Sequence, residues 1–430
     1  MSSEELEKIK KVIDILEYEL DSIMDISPNE RTARMFSTYN YQQKIEKKRR
    51  KCSCPDCENE TILNSHTIPK SCSLKNIQED KKVLVPKHSV KTFNQDKMLI
   101  EMRPEGIISE ATVFPGFCKE HENFFADYEI SGEIIDDIHY AKQCFRGLCK
   151  DIFLCETGKQ YFEKELKDFK KERNEKVKEY LNTKECFSGN NKITKIDVKV
   201  KDRFTSDFCR LIERMDSKLI KLNPYRNKLY KISKKESSFE QEGLRYCSIM
   251  IDETLPVALS GYTLINLHEN GDLSFFYMNI VPLHNKSIIY FVIENRDYEK
   301  LSPWLERLSN QFFLLDAIEE FMIYGTNEWC IKPSVWKAIP QNRQEFILSE
   351  ICSNKSFSFA GTKLSIFDEL RKILIDSAKE LVLKNDIDGV ENSHLYKWIE
   401  YESDKLNYNP YISISEKEEK LQKECEMFLD

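Results

Sequence analysis

Two short pairs of soft-metal ligands stand in an otherwise irregular stretch of the chain: Cys54-Pro-Asp-Cys57 and Cys118-Lys-Glu-His121. A C-x2-C spacing makes a knuckle that aims two thiolates at one point. A C-x2-H pair at a helix start does the same with a thiolate and an imidazole. Together they offer three sulfurs and one nitrogen, the donor set of a tetrahedral structural zinc site. A chain that closes such a site pins two distant segments together, which constrains the local fold more than any propensity does. Cys52 and Cys72 are spare thiols beside these pairs, and either can take the place of a chosen member. The competing interpretation is a set of unrelated free thiols.

The remainder of the chain is organised by period. Leu6, Ile9, Ile13, Leu16, Leu20 and Ile23 form a heptad seam on an amphipathic helix. That seam serves either packing within its own domain or a homo-oligomer contact. Residues 1–50 are therefore expected to be an N-terminal helix and a basic linker ending in KIEKKRRK, Lys44 to Lys51. Residues 51–132 form the cysteine- and histidine-bearing domain, with strand-like pieces at Val83–Val85, Met98–Ile100 and Ala111–Phe114. Residues 133–235 are expected to be helical: Ala141, Phe145, Leu148, Ile152 and Cys155 share one face, and Phe208, Leu211, Ile212, Met215 and Leu219 share another. Cys144, Cys149 and Cys155 then serve as small core residues.

Residues 236–430 are expected to be an α+β domain. Four apolar, β-branched runs (Tyr246–Ile251, Ala258–Leu267, Leu273–Val281, Ile288–Glu294) predict an antiparallel sheet of about four strands, with Asn270–Gly271 as a hairpin turn. Helices are expected at Leu301–Tyr324, Asn342–Ser353, Leu364–Leu383 and Glu416–Phe428. The fold class is thus α+β, a small zinc-bound unit followed by a mostly helical region with one sheet. Glycine and proline number only 12 and 13 in 430 residues, which favours long helices over a many-stranded sandwich.

Composition excludes several classes. Hydrophobic residues at 40% supply a core, so disorder throughout is excluded. No run approaches the roughly 18 apolar residues of a membrane span, so no membrane partner is expected. The 14 cysteines, with no signal-peptide pattern in the opening residues, predict reduced thiols and a cytoplasmic location. There is no phosphate-cradling glycine loop, no H-E-x-x-H and no nucleophile elbow.

Between the two pairs lies Leu63-Asn-Ser-His66-Thr-Ile-Pro69. A knuckle, then a strand ending in xHxxP, then a second C-x2-C/H pair at a helix start resembles the HNH endonucleases, over about Cys52–Phe125. The resemblance implies a ββα-metal fold held by a structural zinc on Cys54, Cys57, Cys118 and His121. It implies His66 as the general base that activates water, and Mg²⁺ or Mn²⁺ held through Glu122 or Asn123 with Ser65 or a backbone oxygen. Ser65 stands where many members carry a metal-binding aspartate, and Asn76 and Asn94 both compete for the middle asparagine. The long gap from His66 to Cys118 implies an insertion between the hairpin and the helix.

The segments SHTIPKS and FPGFCKEHE also resemble uncharacterised bacterial proteins of phage-defence islands. The expected function is therefore a metal-dependent endonuclease cutting DNA in antiviral defence, with a partner ATPase or sensor protein. The alternative is a non-catalytic zinc-stabilised module that binds nucleic acid or protein. Net charge is −8, so any nucleic-acid contact must be local. The run KIEKKRRK and the lysines at 70, 75, 81, 82, 87, 91 and 97 supply a basic strip.

Overall fold

The computed structural model describes residues 40–88 apart from 42, 100–184 apart from 135, 192–198, 203–269, 271–353, 355–384 and 389–409, with single residues 7, 10 and 187. The N-terminal heptad seam, Asn94, Lys91, Lys97, Asn270 and the expected helix Glu416–Phe428 lie outside the described residues.

The first strand among the described residues is β1 (Ser65–His66), followed by β2 (Lys82–His88), β3 (Ile100–Gly106) and β4 (Val113–Phe114). Helix α1 (Lys119–Glu122) runs through the turn Asn123–Phe125 into α2 (Ala126–Ser131). The long helices are α3 (Asp137–Asn182) and α4 (Arg203–Ser233). Strands β5 (Leu244–Ile251), β6 (Val257–Asn266), β7 (Leu273–Leu283) and β8 (Lys286–Glu294) come next. Helices α5 (Tyr298–Arg307) and α6 (Gln311–Glu320), strand β9 (Trp329–Ile331), and α7 (Pro333–Ala338), α8 (Gln341–Ile351), α9 (Asp368–Lys384) and α10 (Gly389–Leu406) complete it. The protein is a mixed helix-and-strand chain in which every strand pairing is antiparallel.

Two compact units divide the chain at 48/49, 150/151 and 225/226. One comprises Met1–Lys48 and Asp151–Tyr225, the other Arg49–Lys150 and Arg226–Asp430. In the first unit the helical segments carry a small apolar cluster of Val177, Leu181 and Val198. Lys159 Nζ meets Asp216 Oδ1 at 2.6 Å, and the Arg173 guanidinium donates to the Val198 carbonyl at 2.5 Å. The face Phe208, Leu211, Ile212, Met215 and Leu219 is half-buried, as its spacing requires.

The second unit is built on one seven-stranded sheet in the order β3-β2-β9-β6-β7-β8-β5. The expected four strands are its β5–β8, so the sheet is larger than the period suggested. Three further strands come from segments that look too short or too broken. Leu84 of β2 pairs with Ile331 of β9, and Ile331 pairs onward with Val257 of β6. Val83, Leu84 and Val85 are buried, which is why an apolar stretch in the cysteine-rich region leaves it to join the main sheet. The segment Asn327-Glu328 leads directly into β9, which begins at Trp329.

Both faces of this sheet are covered. Phe276, Met278 and Ile280 of β7 face a core shared with Ile289, Phe291, Trp304, Leu314, Phe321 and Trp336. On the opposite face the first turns of α3 pack, with Cys144, Phe145, Leu148 and Cys149 all buried. Gly147 permits this approach, because a Cβ there would meet Tyr277 Oη at 2.1 Å and Ser260 Oγ at 2.3 Å. Among the helices, the expected single helix Leu301–Tyr324 is broken at Asn310, whose side chain accepts from the Phe312 and Phe313 amides and caps α6.

Candidate metal centre

The site begins with local backbone. Cys52 N–H donates to the Asn59 carbonyl at 2.9 Å and Cys57 N–H to the Cys54 carbonyl at 3.3 Å, closing a tight loop. Asp56 takes φ of 62°, the left-handed conformation that aspartate tolerates better than most residues. The loop docks on the segment before α1: Ser53 N–H donates to Gly116 O and Ile62 N–H to Phe117 O, both at 2.8 Å. Gly116 leaves room for the Phe114 ring, which a Cβ would meet at 2.2 Å. Cys118 is the residue that starts α1, so His121 returns on the first helical turn towards the same point.

Four side chains converge there: Cys52, Cys57, Cys118 and His121, with their ligand atoms all within 4.8 Å of one another. His121 Nδ1 lies 3.3 Å from Cys118 Sγ and 3.5 Å from Cys52 Sγ, and the Cys57 and Cys118 sulfurs are 3.9 Å apart. Zinc–sulfur bonds of about 2.3 Å in a tetrahedron place sulfurs roughly 3.8 Å apart. The spacing therefore suits one small ion, and the S3N donor set is the one expected.

The membership differs in one residue. Cys52 takes the position expected for Cys54, whose thiol instead hydrogen-bonds the Cys52 sulfur. That bond, helped by the Cys54 and Cys118 amides and His121 and opposed by burial, brings the Cys52 thiol down to about 4. The Cys118 N–H points at the same sulfur at 3.4 Å. Cys54 is the other half of the exchange: its bond to Cys52 and its burial push its own thiol up. Cys57 is pushed up to about 11, chiefly by burial. So the fifth sulfur belongs to the centre as a hydrogen-bond donor to a ligand. Cys72 lies outside the cluster, its thiol pushed up to about 12 by burial.

Around this centre the strand–strand–helix order is present. Ser65 pairs with Phe114 and His66 with Val113, and α1 follows β4. The long insertion falls inside the strand pair, between β1 and β4, rather than between the hairpin and the helix, and it carries β2 and β3.

Each residue expected at a catalytic cation site has its own local surroundings. His66 is only 8% exposed, and its Nδ1 is buried with no hydrogen-bond partner. Burial first, then the Arg146 and Lys70 charges, hold it neutral, down to about 4. The Ser65 hydroxyl accepts the Phe117 N–H at 3.1 Å. Glu122 is ion-paired through Oε1 with Arg146, a residue sequence reasoning passed over, although an arginine inside an apolar helical face was a visible signal. Asn123 is exposed, beside a shallow cavity lined by Asn59, Glu60 and Lys119. Asn76 donates to the Cys72 and Pro282 carbonyls at 2.7 and 3.1 Å and is a structural tie. Among the described residues, no second set of three or more His, Cys, Asp or Glu side chains lies close enough to hold an ion.

No family model, no curated protein and no solved structure matches this chain. No helix among the described residues is long and apolar enough to cross a membrane.

Proposed function

We propose that Cys52, Cys57, Cys118 and His121 hold a structural zinc ion, and that the module it closes is a non-catalytic nucleic-acid-binding unit with the strand–strand–helix order of the HNH fold. The convergence of these four ligands carries the zinc assignment. Nucleic acid as the partner is supported by charge. Arg49, Lys51, Lys75, Lys81 and Lys82 are exposed in the same stretch of chain, although Lys51 also pairs with Glu58. Contacts of this kind engage the phosphate backbone, so binding falls steeply with salt and discriminates little between sequences.

A second reading, a metal-dependent endonuclease with His66 as base, is favoured by one observation. His66 Nδ1 and Glu122 Oε2 are buried acceptor-capable atoms without partners, and such atoms are rare unless water, ion or substrate completes them.

One set of measurements on the full chain separates the readings. Zinc content is measured by atomic emission, affinity for duplex DNA, single-stranded DNA and RNA by anisotropy across a salt series, and plasmid cleavage with Mg²⁺, Mn²⁺ or Ni²⁺ against EDTA. Stoichiometric zinc with salt-dependent binding and no cleavage is expected. Cleavage abolished in His66→Ala, with zinc retained, replaces this reading with the nuclease. Absence of zinc overturns both.

A further inference from the structure

The seven-stranded sheet ends on two edges of opposite character, β3 and β5. β3 carries Glu101, Arg103, Pro104 and Glu105, the charges and proline that keep an edge from pairing. β5 reads Leu-Arg-Tyr-Cys-Ser-Ile-Met-Ile, with a single charge and no proline. Its ladder with β8 runs unbroken from Leu244 opposite Glu294 to Ile251 opposite Ser287, with no bulge to twist the edge away. Leu244 N–H is taken by the Phe239 carbonyl at 2.8 Å. Alternation along an antiparallel strand then turns the amides and carbonyls of Tyr246, Ser248 and Met250 away from β8. Among the described residues no strand or loop backbone pairs with that outer side. The Met250 side chain beside it is 60% exposed.

The two ends of β5 carry opposite charges. Arg245 is exposed near its start, the guanidinium resting 3.9 Å from the Tyr298 ring centroid. Asp252 and Glu253 are exposed just past its end. None of these three side chains forms an ion pair among the described residues.

We propose that β5 is a homodimer contact, at which two copies of the chain join their β5 edges antiparallel about a two-fold axis normal to the sheet, so that the two sheets continue as one. The two-fold brings the start of each strand to the end of the other. Centred on Ile249, it sets Ser248 opposite Met250 and Arg245 opposite Glu253 of the second copy, with Asp252 adjacent. The second copy thus supplies the complementary charge at both ends by symmetry alone, and that match favours it over a strand from another protein. One eight-residue strand from each copy is a small contact, short of the roughly 1,200–2,000 Å² of stable complexes. The dimer therefore forms and dissociates with concentration.

This contact is independent of the zinc and nucleic-acid reading. Sedimentation velocity of the full-length protein over a concentration series tests it, with circular dichroism and melting temperature recorded for every sample. The wild type is expected to shift from monomer to dimer as concentration rises. Met250→Lys places a charge on the edge, and is expected to weaken the dimer by at least about tenfold. Arg245→Glu and the pair Asp252→Lys/Glu253→Lys each set like charges opposite one another, and each is expected to weaken it similarly. An equimolar mixture of the Arg245→Glu chain with the Asp252→Lys/Glu253→Lys chain is expected to restore the dimer, because both ends of the mixed pair again carry opposite signs. Where Met250→Lys fails to fold, the charge-swapped mixture decides. A wild type that stays monomeric throughout the series overturns the proposal. So does a dimer that survives these substitutions, and so does loss in both charge variants without recovery on mixing.

Discussion

Ser65 Oγ accepts the backbone N–H of Phe117 at 3.1 Å. That bond ties the strand carrying His66 to the residue next to the Cys118 ligand, so the imidazole and the metal centre are fixed relative to each other by a side chain buried to 0% exposure. A residue that could have been a metal ligand is thereby a structural strut.

The zinc assignment separates the five thiols of the region. Cys57→Ser and Cys118→Ser are expected to lose the ion and to unfold the module, since a structural zinc supplies much of a small domain's folding energy. Cys54→Ser is expected to retain zinc at about one per chain, because Cys54 is not among the four side chains whose ligand atoms converge. Atomic emission on the purified variants checks this, and zinc loss in Cys54→Ser would mean that Cys54 is itself a ligand.

Burial of neutral His66 links stability to pH. Its folded pKa, about 4, lies below the ordinary histidine value. The unfolded chain therefore binds a proton that the folded chain refuses, so stability is complete above about 6.5 and falls as pH drops towards 4. Between pH 7.5 and 5 the contribution lost is about 2 kcal/mol. Urea midpoints of wild type and His66→Gln at the two pH values test it, with a smaller drop expected in the variant.

Gly147 sets the distance between α3 and the sheet. Gly147→Ala forces a methyl to within 2.1 Å of Tyr277 Oη, so the helix or the β7 side chain must move. Overpacking of this kind costs about 1–3 kcal/mol, partly offset by alanine's better helix propensity. Thermal melting measures the net loss. Tyr277→Phe in the same background is expected to recover part of it, since the hydroxyl is the nearest atom.

Behind the sheet, Arg371 is 0% exposed and joins three helices through Asp316, Glu319 and Glu402, with Lys405 bound to Asp316 beside it. Arg371→Met leaves these carboxylates buried with less compensation, at a cost of about 3–5 kcal/mol. Glu319, held above the usual carboxylate range by burial despite Arg371, gains a proton more readily once the arginine is gone. Stability of Arg371→Met is accordingly expected to fall less at low pH than at neutral pH, read from denaturant midpoints.

Much of this was legible in the chain. The C-x2-H turn and Cys57 of the knuckle pointed to a cluster that could hold a metal ion, because ligand spacing within a turn is a local property. The strands β5–β8 and the buried face of α3 followed from hydrophobic period for the same reason. What the sequence alone determined was each element's type and which of its faces turn inward. Only the tertiary structure decided how those elements are shared. It chose Cys52 over Cys54, since a difference of two residues in one loop is settled by which sulfur faces His121 across the fold. It carried β2 and β3 out of the cysteine-rich segment into the main sheet, because β9 offered an edge that no local pattern reveals. And it paired Glu122 with Arg146, because a buried guanidinium takes whatever carboxylates packing brings to it, and packing is a property of the whole chain.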